Sequence, residues 1–264
     1  MREMQSTDTD NVRAFWDANP LCATSIPFPL GSEEYFKYYD GLRETIENVE
    51  FSYELHEYKE FEGKKVLDVG SGNGYVLSKY AKEGASVYGV DITPTGIQLC
   101  RSRFGYLGIQ GNFQVADAQH LPFENNTFDC VTSMGVLHHV PVTERAVSEI
   151  FRVLKPGGRL IVMFYHRNSA LYRVRYPLVS ILTGKSRQQL VNEFDGVGNP
   201  KGDVYSRVEL AQLLSDFVGI EMSVGFLTGE MVFPKVGRYI PEAIIHPFEK
   251  LFGWNLYAKA WKPE

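Results

Sequence analysis

Between Gly63 and Tyr165, short apolar runs alternate with longer amphipathic ones, a pattern that predicts repeated βα units. Lys65–Val69, Ser86–Val90, Asn112–Ala116, Phe128–Thr132 and Arg159–Tyr165 are predicted as strands. Glycines close the first, and Asp91 and Asp117 end the second and third. Tyr75–Glu83 reads as a helix with Gly84 as its C-cap, and Pro94–Phe104 as a helix with Thr93 as N-cap and Pro94 at its first position. Thr143–Leu154 is a third helix, stopped by Lys155-Pro-Gly-Gly158. Strands and helices of this length in alternation imply a mostly parallel sheet.

The flanks differ in character. Residues 9–60 carry Trp16, Tyr35, Phe36, Tyr38 and Tyr39 among charges, which predicts amphipathic helices packed as a cover. Residues 166–204 read as an irregular insert, punctuated by Gly184, Gly196, Gly198, Pro200 and Gly202. Ser206–Phe217 is predicted as a helix, because Ser206 and Glu209 have capping-box spacing. Glu221–Leu227 and Leu256–Trp261 alternate as strands that would complete the sheet. The expected organisation is an N-terminal helical cap (1–60), a core (61–165), an insert and helix forming a substrate cover (166–215) and C-terminal strands (216–264).

Composition narrows the classes. The 264 residues are 44% hydrophobic and 22% charged, enough for a central sheet covered on both faces. A net charge of −5 gives no general attraction to nucleic acid, so no nucleic-acid partner is expected. Cys22, Cys100 and Cys130 are far apart and lack paired spacing, which argues against a disulfide framework and a cysteine metal site. Met1–Asn11 is polar and is not the pattern of a signal peptide, and no run of apolar residues is long enough to span a membrane. A cytoplasmic monomer or homodimer is the expectation.

Three features fall at the carboxyl ends of three successive predicted strands. Gly70, Gly72 and Gly74 form a G-x-G-x-G loop that lets the backbone approach a ligand; a purely structural turn has the same composition. Asp91, about 20 residues on, can accept hydrogen bonds from both hydroxyls of a ribose, or serve as a helix N-terminal carboxylate. Asp117, with Ala118, can read an adenine edge or lie in a surface turn. Together they point to a ligand at that edge of the sheet, where open α/β sheets bind.

His138 and His139 follow the fourth strand. Either can be structural, or can take a proton near neutral pH. Beyond the fifth strand, Arg167, Arg173 and Arg175 can pair with a carboxylate or phosphate, or stay solvated. Asp195–Pro200 lacks the alternating oxygen ligands of a calcium loop and reads as a turn bordering the pocket, so no metal is expected.

Val66–Gly74, Val87–Ile92, Asp117–Phe123, Phe128–Val131, Gly135–His139 and Glu149–Gly158 jointly resemble the class I S-adenosylmethionine-dependent methyltransferases, in the branch of ubiquinone/menaquinone-type (type 11) small-molecule enzymes. The resemblance covers about residues 61–165 and implies a Rossmann-like, doubly wound, seven-stranded sheet. It implies S-adenosyl-L-methionine as cofactor, with Asp68 and the backbone of Gly70, Ser71, Gly72, Asn73 and Gly74 facing its methionine portion. Asp91 would hold the ribose, Ile92, Asp117 and Ala118 would meet the adenine, and Met134 would lie near the sulfonium. His138 is the implied candidate base. Phe15–Pro20 and Tyr35–Tyr39 are expected to form a lid, and Tyr35, Tyr39, His139, His166 and Arg167 are candidate contacts to a small-molecule acceptor. The acceptor atom, O, N or C, stays open. Three other readings stay open too: a nicotinamide oxidoreductase, disfavoured by the glycine spacing; a cofactor-binding accessory protein without turnover; and a methyltransferase acting on protein.

Overall fold

The computed structural model describes residues 2–20 and 25–264, with side chains from Asp8 onward; Cys22 lies outside the described residues. Three helices come first: α1 (Arg2–Ala18), α2 (Glu33–Ile46) and α3 (Val49–His56). The βα units follow as β1 (Lys65–Val69), α4 (Tyr75–Lys82), β2 (Ser86–Asp91), α5 (Pro94–Leu107), β3 (Asn112–Val115), β4 (Phe128–Met134), α6 (Thr143–Val153) and β5 (Leu154–His166). The remainder comprises a π-helical turn (Leu171–Arg175), α7 (Tyr176–Thr183), α8 (Arg187–Asn192), β6 (Val204–Tyr205), α9 (Arg207–Leu213), β7 (Val218–Gly225), α10 (Gly229–Val232), α11 (Glu242–Phe252) and β8 (Asn255–Trp261).

The strands run in the order β3-β2-β1-β4-β5-β8-β7, and two-residue β6 pairs with β5 off that path. All pairs are parallel except those of β8 with β5 and β7. The chain winds outward from β1 to β3, then restarts at β4 on the other side of β1. The crevice between β1 and β4 is therefore the switch point at which open α/β sheets hold ligands.

Local chemistry sets the elements. Thr93 caps α5 by accepting the Gly96 N–H at 3.0 Å, with Pro94 in the first turn, and Gly108 closes the helix at φ +66°. Side-chain alternation splits the core into two layers. Val66, Cys130, Ile161, Met163, Tyr165 and Tyr257 face one side with α2 and α4. Leu67, Val131, Leu160, Val162, Phe164 and Leu256 face the other with α6 and α9. On α6 the inward stripe Ala146, Val147, Ile150 and Val153 is buried in that second layer, each large side chain contributing about 1.5–3 kcal/mol.

The structure adds to the sequence reading or departs from it in several places. The seven expected strands form the main path of the sheet, and Val204–Tyr205 adds an eighth as a short parallel pair at the end of β5. Lys155-Pro-Gly-Gly158 does not lie outside the sheet: β5 already begins at Leu154, opposite Phe128, and a register shift absorbs the turn residues. The stretch 166–204 is largely helical, the glycines there punctuating helices (Gly184 is the C-cap of α7), and Ser186 with Gln189 forms a capping box on α8. The helix read as Ser206–Phe217 is shorter, Arg207–Leu213, although its Ser206/Glu209 capping box is present. Two helices, α10 and α11, occupy a region to which the pattern assigned none.

Candidate functional site

A cavity of about 420 Å³ opens over the carboxyl ends of β1, β2, β4 and β5. Its floor is the loop after β1. Gly70 has φ +80°, and a Cβ there would lie 2.4 Å from the Val136 side chain; Gly72 has φ +49°, and a Cβ there would meet no protein atom. The first glycine thus lets two loops meet, and the second leaves backbone bare toward the cavity.

Two carboxylates stand over this floor. Asp91 ends β2 and is fixed from three directions: Oδ2 accepts the Gly72 N–H at 2.9 Å, and Oδ1 accepts the Thr93 N–H at 2.9 Å and its hydroxyl at 2.7 Å. Burial raises its pKa, against which these donors work. Asp68, in β1, is buried and its Oδ1 has no hydrogen-bond partner. Burial, then the charge of Asp91, pushes its pKa up to about 8. A carboxyl in that state lacks a cation. Arg43, on α2, is the positive group in the same wall; it is 2.9 Å from Glu47, whose charge keeps it protonated despite burial.

The adenine-side candidates are also in the wall. Ile92, Asp117 and Ala118 line the cavity, and Gln119 holds the Asp117 carboxylate through its backbone N–H at 2.9 Å and its amide at 3.1 Å. The Gln119 amide also donates to Thr9 at 3.3 Å, tying α1 to this loop. Ser71, Asn73 and Met134 line the cavity as well, while Gly74 sits behind it as the N-cap of α4, its φ +76° turn packed against Cys100.

The far end of the cavity is aromatic and polar at once. Tyr165 stacks on Trp254 at 4.6 Å, Phe194 lies 4.9 Å from Trp254, and Trp16 of α1 meets the edge of His139 at 5.0 Å. The Tyr165 hydroxyl donates to Asp195, with the two carboxylate oxygens at 2.6 and 2.7 Å. His139 Nδ1 is 2.5 Å from the Lys201 carbonyl oxygen. A carbonyl only accepts, so Nδ1 donates to it, and Nε2 is the ring nitrogen left to bind or release a proton. Nε2 lies 3.3 Å from Asp195 Oδ2 and makes no hydrogen bond.

Thus Tyr35, Tyr39 and His139 line the cavity together with the cofactor-side candidates. His138, His166 and Arg167 do not. His138 is fully buried, its ring 3.9 Å from that of Tyr165, and burial holds its pKa well below the usual value. His166 is buried with Nδ1 3.1 Å from the Gly253 carbonyl, and Arg167 is spent on Glu209 at 2.7 Å and the Val204 carbonyl at 2.8 Å. A one-residue step in the turn Leu137–His139 decides which histidine faces the cavity, and no sequence period reports it. Arg43 and Trp254 were not singled out from sequence. Arg43 lies in a helix read only as cover, and Trp254 precedes a strand read only as sheet. Among the described residues no cluster of His, Cys, Asp or Glu could hold a metal.

A family model described as a methyltransferase domain matches residues 67–162. That stretch is a class I methyltransferase domain of type 11. The relatives similar in sequence include the ubiquinone/menaquinone biosynthesis C-methyltransferase UbiE of Cronobacter sakazakii, 39% identical over 110 residues, 40% of this chain and 44% of that protein. The chain spans less than half the length of the curated relatives it matches. Among solved structures, phosphoethanolamine N-methyltransferase 2 of Haemonchus contortus superposes with a TM-score of 0.62 at 18% identity, over 96% of this chain and 60% of that one. A methyltransferase of Methanosarcina mazei gives a TM-score of 0.58 at 24% identity, over 79% and 96%. The matched residues thus hold most of β1–β5 with α4–α6 and the ligand-side loops, whereas α1–α3, the insert, β6–β8 and α10–α11 fall outside them.

Proposed function

We propose that the chain is an S-adenosylmethionine-dependent methyltransferase acting on a hydroxylated aromatic small molecule. The observation that carries the cofactor reading is Asp68: a buried carboxyl with an orphaned oxygen and a raised pKa, facing a cavity with Arg43 in the same wall. The α-amino acid end of S-adenosylmethionine has the matching charges, its ammonium for Asp68 and its carboxylate for Arg43. Asp91 Oδ2 keeps acceptor capacity for a ribose hydroxyl, and the bare backbone at Gly72 leaves room beside it. Among the described residues, Arg43 and His139 are the basic side chains that line the cavity, which suits a sulfonium.

When bound, the cofactor supplies an electrophilic methyl group whose bond to sulfur breaks as the electron pair stays on sulfur. The protein's part is placement and proton handling. Trp16, Tyr165, Phe194 and Trp254 would hold a flat acceptor ring. His139 would take the proton released from the acceptor's hydroxyl or ring carbon on Nε2, and Asp195 beside it would stabilise the imidazolium formed. Tyr165 keeps the Asp195 carboxylate aimed. The aromatic lining of the cavity supports a small molecule over a protein side chain, and the names of the UbiE relatives support a quinone-type ring with methyl transfer to carbon.

Calorimetry with S-adenosylmethionine and S-adenosylhomocysteine tests the first part; a folded protein that binds neither would overturn it. Transfer of labelled methyl to a panel of hydroquinones, catechols and simple amines tests the second, with label expected on the phenolic compounds and not on the amines.

A further inference from the structure

Two helices outside the methyltransferase domain carry an apolar stripe that faces away from the protein. On the π-helical turn and α7 the exposed residues are Val174, Leu178, Ile181 and Leu182; on α11 they are Ile244, Phe248, Leu251 and Phe252. The spacing is the same in both, i, i+4, i+7 and i+8, the apolar face that a surface helix normally turns to its core. Ile181 is 81% and Leu182 83% exposed. In the segment leading into α11, Phe233, Val236 and Tyr239 are exposed around α10 and the turn Gly237–Tyr239, and Arg175, at the start of the α7 stripe, is joined to α10 through the Glu230 carbonyl at 3.1 Å. Half of the exposed large hydrophobic residues among those described lie in these two short stretches, so the patch is a concentration and not the scatter usual on a surface.

Charge identifies what covers it. Residues 171–190 and 229–252 carry seven Lys and Arg against three Glu, whereas the rest of the chain carries twenty against twenty-nine. Arg173, Arg187, Lys235, Arg238 and Lys250 form no salt bridge among the described residues; Arg187 and Arg238 lie over Tyr172 and Tyr239 instead. The negative groups of these stretches are the exposed carboxylates of Glu230 and Glu242 and the half-buried one of Glu249, which accepts the Phe226 N–H at 2.7 Å and lies 3.1 Å from His246. An acidic chain has thus gathered unneutralised cations around its apolar stripes, the composition of helices that lie in the interface of an anionic bilayer. A second copy of this face would set like charges against each other.

We propose that α7 and α11 dock this protein on the surface of an anionic lipid bilayer, with the stripes in the headgroup–acyl boundary and the cations at the phosphates. No described helix is long and apolar enough to cross the membrane, so the protein lies on it. The docked surface adjoins the aromatic end of the cavity, since Tyr176 of α7 contacts Trp254 at 6.1 Å between ring centres and Phe226, just before α10, lines the cavity. The inference stands independently of the acceptor proposed above.

The test is flotation of the full chain with vesicles of phosphatidylcholine alone and of phosphatidylcholine mixed with phosphatidylglycerol. Binding to the anionic vesicles is expected, weakening with added salt. The pairs Ile181→Asp with Leu182→Asp, and Phe248→Asp with Leu251→Asp, should each weaken it about tenfold or more. These side chains are exposed, so the variants should keep the wild-type circular dichroism, melting temperature and cofactor affinity. Absence of flotation, equal binding to neutral vesicles, or variants that bind like wild type would each overturn the proposal. So would a concentration-dependent dimer, in the absence of lipid, that either pair of substitutions dissolves, because a second copy would then be the occupant.

Discussion

The two ends of the cavity are built in opposite ways. The proposed cofactor end takes its carboxylates from consecutive strand ends within about 50 residues, Asp68 to Asp117, each placed by its own βα turn, and adds Arg43 from α2. The proposed acceptor end gathers Trp16, His139, Tyr165, Asp195 and Trp254, from α1, a turn after β4, the tip of β5, the insert and the position just before β8. The first end depends on local backbone geometry and the second on tertiary packing of the cover. Damage to the first should therefore appear as lost affinity for one ligand, and damage to the second as lost turnover at unchanged cofactor affinity.

The largest expected effect is on turnover. His139→Ala should lower kcat by about 10²–10⁴-fold, the usual contribution of a positioned acid–base group, with S-adenosylmethionine affinity unchanged in calorimetry. An unchanged kcat would remove His139 from proton transfer. Asp91→Ala should weaken cofactor binding by about 1–3 kcal/mol, and unaltered binding would take Asp91 out of the site.

Asp68 gives a pH signature confined to the cofactor end. Its pKa in the folded free protein, pushed up to about 8, lies above the ordinary aspartate value of 3.8, so at pH 7 the folded free protein holds this proton and the unfolded chain does not. The free protein should then lose stability as pH rises from about 4 to 8 on account of this group. A cationic ligand reverses the preference and expels the proton. Affinity for S-adenosylmethionine should thus rise about tenfold per pH unit up to about 8 and level off above it. Calorimetry in buffers of different ionisation enthalpy should show proton release at pH 7. Asp68→Asn should abolish both the release and the slope, and a slope that survived in the variant would assign it to another group.

The smallest effect is expected at His138. His138→Leu removes two buried nitrogens that have no hydrogen-bond partner, so stability should change by no more than about 1 kcal/mol, and kcat should not change. A rate loss like that of His139→Ala would return the proton-transfer role to His138 and contradict the division drawn above.

This division also explains what could be read from the sequence. β1, β2 and the turns after them were legible because glycine spacing, terminal aspartates and strand periodicity are local signals. So were the cap at Thr93 and the capping box at Ser206. The helices of the insert were not: α7 turns its apolar stripe outward, and the glycines at its borders imitate a loop. Asp195 could be placed only at a turn bordering the pocket, because its meaning depends on Tyr165 and His139, residues 30 and 56 positions away in the chain. Which of two adjacent histidines enters the cavity depends on a single 3₁₀ turn, below the resolution of any periodic pattern.

The alternation along β5 has a practical consequence. Met163 and Tyr165 belong to the layer shared with Tyr39 and Trp254, whereas Leu160, Val162 and Phe164 belong to the other. The sheet is therefore a partition between two design problems. Variants selected for new acceptors can be sought at positions 163, 165 and 254, while compensating stability is recovered by repacking positions 160, 162 and 164 on the opposite side, with little interference between the two libraries. An insertion or deletion of one residue within β5 would exchange the two sets and abolish both.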